Sequence, residues 1–268
     1  MYRHILLPVR APSEVEPMIR FAALLLDADG EIRMLHVIPT TTMPQVTREW
    51  RASVNLVIPA HEAAASLDVR VEPEIRASVD VPAEILESAE AHSADAILLS
   101  LGGDRRSRNP FVGHTASAIL HYASADILVI NRLALAAPKI PRILVPTLVG
   151  RVSPKAMRLA EEISIHNDGV PIVTLDIRSS SSRSAESEDD HTARGVPILH
   201  RHSTVSEALL GRRRHNAELI LQGAARERYG LLLVGEDSHS VSQAPFLTRP
   251  FLEELFRSAP CPVVAIRG

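Results

Sequence analysis

Apolar residues fall along this chain in short blocks, separated by segments with helical spacing, and the alternation persists from end to end. Tyr2–Val9 (YRHILLPV) is a largely apolar run closed by proline, the mark of a strand buried on both faces. Ser13 is placed to cap a helix in which Met18, Ile19, Ala22, Leu25 and Leu26 share one face, with Gly30 as its stop. Glu31–Ile38 reads as a second strand. Residues 39–68 form a long connection whose Gln45–Ala65 stretch predicts an alanine-rich helix interrupted or bounded at Pro59. Val69–Ile75 alternates and so predicts a strand nearer a sheet edge. Asp80 caps a helix over Pro82–Ala91. Then come strand Ala96–Leu99, a glycine-bearing loop, helix Thr115–Tyr122 and strand Ile127–Ile130. The order is a strict strand–helix alternation, which implies parallel strands with helical crossovers.

The chain then repeats itself. Ile143-Leu144-x-Pro146 repeats Ile5-Leu6-x-Pro8, and Arg158-Leu159-Ala160 repeats Arg20-Phe21-Ala22 at the same offset. Gly169 answers Gly30, Ala217–Ile220 answers Ala83–Leu86, Leu231–Val234 answers Ala96–Leu99, and Cys261–Ile266 answers Asp126–Ile130. Ordered matches through the whole length indicate a tandem duplication, with domains over 1–132 and 139–268 and a linker at 133–138. Two segments break the symmetry. Residues 178–195, rich in serine and charge, have no composition for a core and read as a flexible surface loop. Residues 203–216 are an insertion carrying Arg212-Arg213-Arg214-His215.

Composition narrows the class. Aromatics are 3% of the 268 residues, so cores must be built from Leu, Ile, Val and Ala, which suits parallel sheets under aliphatic helices. A net charge of −3 with no aromatic interleaving argues against nucleic acid as partner. A single cysteine, Cys261, excludes an intramolecular disulfide, and beside Pro262 it reads as a buried inert thiol. The twelve histidines show no metal-ligand spacing, so no metal is expected; His36, His200 and His202 read as packing or surface residues. Nor is there a nucleophile elbow or complete P-loop. The first residues read as a strand rather than a signal peptide, and no apolar run is long enough to span a membrane. The expectation is a cytoplasmic α/β protein.

Each half resembles the universal stress protein domain. The resemblance rests on ILLPV and ILVPT opening the halves, LHV closing the second strand, and the block PAEILESAEAHSADAILL. The endings GHTASAILHYASADILVINR and RSAPCPVVAIRG are its most specific parts. It implies two tandem doubly wound five-stranded parallel sheets of the adenine-nucleotide α-hydrolase-like (HUP) type, strand order 3-2-1-4-5. It also implies that the last strands, Ile127-Leu128-Val129-Ile130 and Val263-Val264-Ala265-Ile266, join the halves as an intramolecular pseudo-dimer, with a further homodimer open.

Many members of that family bind ATP with an Asp after the first strand and a loop of pattern G-x2-G-x9-G-[ST]. At the Asp position this chain has Arg10 and, in the second half, Leu148. An adenine amino group needs an acceptor there; Arg offers only donors and Leu neither. In the loop Gly103 and Gly113 keep their spacing, but Ser100 stands for the first glycine and His114 for the terminal Ser/Thr, with Thr115 one place late and Gly102 extra. Pro8 and Val37, at the ends of the first two strands, complete the candidate set for a nucleotide or other anion. Its bland alternative is that the glycines only shape a tight strand-to-helix connection, and that Arg10, Arg105, Arg106 and Arg108 are solvated. In the second half Gly235 survives, while Ser238, Thr248 and Arg249 replace the rest of the loop, so that site is expected to be degenerate. The leading expectation is a non-enzymatic stress-response binding module with impaired ATP binding and an unidentified protein partner. The alternatives are an ATP-binding, slowly hydrolysing switch using the first loop, and a regulator of a membrane transporter.

Overall fold

The computed structural model describes residues 1–40, 42–101, 114–147 except 132–139, 153–179, 191–193, 195–205, 213–226, 229–236 and 249–267. The described residues fall into two compact units, one of Met1–Leu101 with Val112–Val129, the other running on from Ile130.

The first unit consists of β1 (Tyr2–Pro8), α1 (Pro12–Ala23), β2 (Leu26–Pro39), α2 (Met43–Leu67), β3 (Arg70–Ser78), α3 (Val81–Ala91), β4 (Ala96–Leu101), α4 (His114–Tyr122) and, through Val129, β5 (Asp126–Asn131). Its strands lie in the order β3-β2-β1-β4-β5, with β1–β2, β1–β4 and β2–β3 paired in parallel. The apolar block of β1 is central, and Ile5, Leu6 and Leu7 are buried in succession, each worth about 1.5–3 kcal/mol of hydrophobic transfer. The alternating β3 ends the order, as its pattern predicts. Asp95 ties the start of β1 down by accepting the backbone N–H groups of Arg3 (2.8 Å) and His4 (3.0 Å).

Three local expectations are corrected. Helix α1 stops at Ala23 and β2 begins at Leu26, so Gly30 is a strand residue and not a helix stop. Tyr2 pairs with Leu26 but His4 with Glu31, so β2 bulges between them. A Cβ on Gly30 would lie 2.8 Å from the Leu26 side chain and 2.9 Å from the Arg3 carbonyl, which explains the glycine. Helix α2 runs unbroken through Pro59. Leu56, Ala60 and Ala63 bury one face on both sides of the proline, and this packing offsets the roughly 3 kcal/mol that an internal proline costs. Finally, Ser13 makes no cap; the N-cap residue is Ala11. Asp80 does cap α3, accepting the Ala83 N–H at 3.0 Å.

The second unit consists of β6 (Ile143–Thr147), α5 (Pro154–Ile165), β7 (Ile172–Ser179), β8 (His191–Ala193), β9 (Val196–Val205), α6 (Arg213–Arg226), β10 (Leu231–Glu236), α7 (Arg249–Ser258) and β11 (Val263–Arg267). Its order is β11-β10-β6-β7-β9-β8. Leaving out β8, this is again 3-2-1-4-5 in the unit's own succession. The departure from a purely parallel five-stranded sheet is β8, which pairs antiparallel with β9 through His191↔Ile198 and Ala193↔Val196. The stretch expected as a loop from 178 to 195 therefore contributes strand residues at both ends: β7 runs to Ser179 and β8 begins at His191. The inserted 203–216 likewise divides between β9 and the start of α6, with 206–212 outside the described residues.

Ile127–Ile130 and Val263–Ile266, expected at the seam, are buried at four successive positions each, so both faces of β5 and of β11 are covered. Among the described residues no helix is long and apolar enough to cross a membrane. Cys261 is buried, and loss of solvation pushes its thiol from 9.0 up to about 11. The folded thiol thus stays neutral where an unfolded one ionises. The stability it contributes is complete below pH 9.0 and is lost as pH rises towards about 11. A thiol-reactive dye at pH 8 should label the native protein only at its unfolding rate, and denatured protein at once; rapid native labelling would contradict the buried placement.

Candidate functional site

In an open parallel sheet the helix N-termini gather at the carboxyl ends of the strands, and the crevice opens where neighbouring crossovers part. In the first unit this is the end of β1, between β2 on one side and β4 on the other. Pro8 pairs with Leu35, the Val9 N–H donates to the Leu35 carbonyl at 2.9 Å, and the chain then turns through Arg10 into α1. Alternation along β2 aims the main chain of Val37 towards the β1 side, two residues beyond that bond.

The turn is held by two side chains that the sequence did not single out for it. Glu14, in the first turn of α1, is only 2% exposed. Its Oε2 accepts the Arg10 backbone N–H at 3.1 Å, and its Oε1 lies 3.6 Å from the Arg10 guanidinium. The carboxylate reaches back past Ala11 to fasten the turn that leads into the helix, and sits where helix N-terminal amides favour negative charge. The Arg10 side chain is 65% exposed, so its charge faces outward while its backbone is bound to Glu14.

The second is His36 on β2. Its Nδ1 lies 2.9 Å from the Val9 carbonyl oxygen; a carbonyl only accepts, so Nδ1 carries the proton. The second unit solves the same problem differently. Thr147, at the end of β6, pairs with Asp176 of β7 and donates its hydroxyl to that carboxylate at 2.8 Å. Asp176 occupies in β7 the register that His36 occupies in β2. Both units therefore pin the end of their first strand to a side chain of their second. A short LHV signature marks one and nothing in sequence marks the other.

Of the remaining candidates, Ser100 falls inside β4, which runs on to Leu101; it is a half-buried strand residue rather than the opening of the loop. His114 begins α4 and Thr115 follows it, half-buried. Gly102, Gly103, Gly113, Leu148, Ser238 and Thr248 lie outside the described residues, and Arg249 opens α7. Gly235 lies in β10 against the start of α5: a Cβ there would sit 2.3 Å from Ser153 Oγ and 2.7 Å from Ala156 Cβ. Packing alone requires that glycine. Among the described residues no cluster of His, Cys, Asp or Glu could hold a metal ion.

Among known proteins, the Universal stress protein family matches residues 1–131. No curated protein matches the chain. A universal stress protein from Archaeoglobus fulgidus superposes with a TM-score of 0.69 at 14% identity, covering 98% of this chain and 97% of that one. A putative universal stress protein from Pseudomonas aeruginosa gives 0.58 at 12%, covering 99% and 93%. The cytoplasmic domain of a prokaryotic cation chloride cotransporter gives 0.58 at 11%, covering 99% and 95%. At these identities the superpositions establish the fold of both units and no more. Residues 1–131 belong to the universal stress protein family, and they are followed by a second unit of the same α/β architecture.

Proposed function

We propose that the protein is a non-enzymatic binding module of the stress-protein type in which adenine-nucleotide binding is impaired. The observation that carries this reading is the pair Arg10–Glu14 at the end of β1. Where many members of the family present a carboxylate to adenine, this chain presents a guanidinium. The nearby carboxylate of Glu14 is buried and already engaged with Arg10 through both oxygens. An adenine amino group seated there meets a guanidinium in place of a carboxylate acceptor, and an unpaired donor in a closed site costs about 1–3 kcal/mol, or roughly one to two orders of magnitude in affinity. Packing supplies a reason for Gly235 in the second unit that requires no ligand.

Calorimetric titration of ATP, ADP and AMP into the full chain should give dissociation constants above about 1 mM, and protein purified under native conditions should carry no ultraviolet absorbance excess from nucleotide. Stoichiometric nucleotide in either unit would overturn the reading. The switch alternative keeps one point in its favour, the main chain of Val37 aimed into the crevice. Gly113→Arg separates the two: if ATP binds and this substitution leaves its affinity unchanged, the first loop is not the site.

A further inference from the structure

Helix α2, at 25 residues the longest among the described residues, carries an apolar stripe on the wrong side. Its inner face is Ser53, Leu56, Ala60 and Ala63, all buried. On the opposite face Trp50, Val54 and Ile58 are 45%, 48% and 57% exposed. Their spacing of four residues sets them one above another, and Thr47, His61 and Ala65, also exposed, extend the line in both directions. A helix that packs one face on its own domain ordinarily turns charge to water on the other.

We infer that this face is a self-association surface, through which two copies of the chain pair α2 against α2 in antiparallel orientation. The choice of partner follows from how charge is placed around the stripe. At about 100° per residue, Trp50 and His61 form one edge of the stripe, while Arg51 and Glu62 fall along its other edge. A two-fold axis perpendicular to two antiparallel helices brings like flanks together. With the axis at the level of Leu56, Val54 of one copy lies opposite Ile58 of the other. On one flank Arg51 then meets Glu62, and on the other Trp50 meets His61, each contact occurring twice. A single register thus matches apolar to apolar, cation to anion and ring to ring. Arg51 and Glu62 are both exposed, so the pairing requires no buried charge. About five turns laid on five bury an area at the low end of specific interfaces, so the dimer is weak and depends on concentration.

Trp50 is the protein's single tryptophan, and it reports on the contact without labelling. Sedimentation velocity of the full chain over a micromolar concentration series should show a reversible monomer–dimer equilibrium. Tryptophan emission should move to shorter wavelength over the same range. Ile58→Glu, at an exposed position, should weaken the dimer by about tenfold or more. Arg51→Glu alone should weaken it, and Arg51→Glu with Glu62→Arg should restore it. Mixing Val54→Cys with Ile58→Cys protein should give faster disulfide cross-linking than either variant by itself. A monomer at all concentrations, a dimer indifferent to Ile58→Glu, or equal cross-linking in the unmixed variants would overturn the inference.

Discussion

Glu14→Ala is expected to lower the unfolding free energy of the first unit by about 3 kcal/mol, whereas Ser13→Ala, one residue earlier, should change it by less than about 0.5 kcal/mol. The contrast follows from where the two side chains sit. Ser13 is exposed and makes no cap bond, although serine before an apolar helical face is the usual signature of one. Glu14 is buried and accepts the Arg10 N–H at 3.1 Å. Truncating it strands that N–H, worth about 1–3 kcal/mol, and leaves a hole where its methylenes packed, worth another 1–2 kcal/mol by analogy with other large-to-small changes. The guanidinium contributes little to the sum. It is 65% exposed and hydrates once its partner is gone. Urea unfolding of the two variants, compared at equal slopes, decides the matter. Equal losses at 13 and 14, or none at 14, would refute the role of Glu14 in holding the turn and with it the argument that its carboxylate is unavailable to a ligand.

That pair of residues also shows what could be read from the sequence. Asp80 before a proline-led apolar helix was legible because the cap, its acceptor and its donor lie within four residues. Central β1 and terminal β3 were legible for a related reason: burial on two faces or on one leaves its period in the chain itself. His36 and the Thr147–Asp176 bond were not, since each depends on which residue lies opposite across the sheet, and that register is set by pairing, not by neighbours in sequence. Glu14 lies only four residues from Arg10, but a glutamate in a first helical turn is ordinarily solvated and nothing beside it in the sequence marks it as buried. Proline and glycine misled in one direction. On propensity Pro59 and Gly30 read as punctuation, and tertiary packing overrides both: α2 holds its line through Pro59, and Gly30 serves a bulge where Leu26 and the Arg3 carbonyl come too close for a Cβ. The antiparallel β8 fell in a segment whose polar composition gave no strand period to read.

Gly235→Ala should destabilise the second unit by about 2–4 kcal/mol while leaving any ligand titration of the protein unchanged. The glycine stands in the part of β10 against which the N-terminus of α5 packs. A methyl group there would fall 2.3 Å from Ser153 Oγ, 2.6 Å from Ser153 Cβ and 2.7 Å from Ala156 Cβ. The hydroxyl could rotate away, but the two Cβ atoms move only with the backbone, so the first turn of α5 must shift; overpacking of this kind costs about 1–3 kcal/mol. Rotation carries its own cost. Ser153 Oγ accepts the Ala156 N–H at 3.3 Å as the N-cap of α5, and losing a cap removes about 1 kcal/mol more. Ser153→Ala should relieve the oxygen clash but not the carbon ones, so Gly235→Ala made in that background should still destabilise, though less than in the native chain. Were Gly235 kept for a phosphate and not for α5, the substitution would leave the unfolding midpoint where it is and weaken anion binding instead. Thermal unfolding and a nucleotide titration on the same three proteins separate these outcomes, because packing predicts movement only in the first and a surviving second site only in the second.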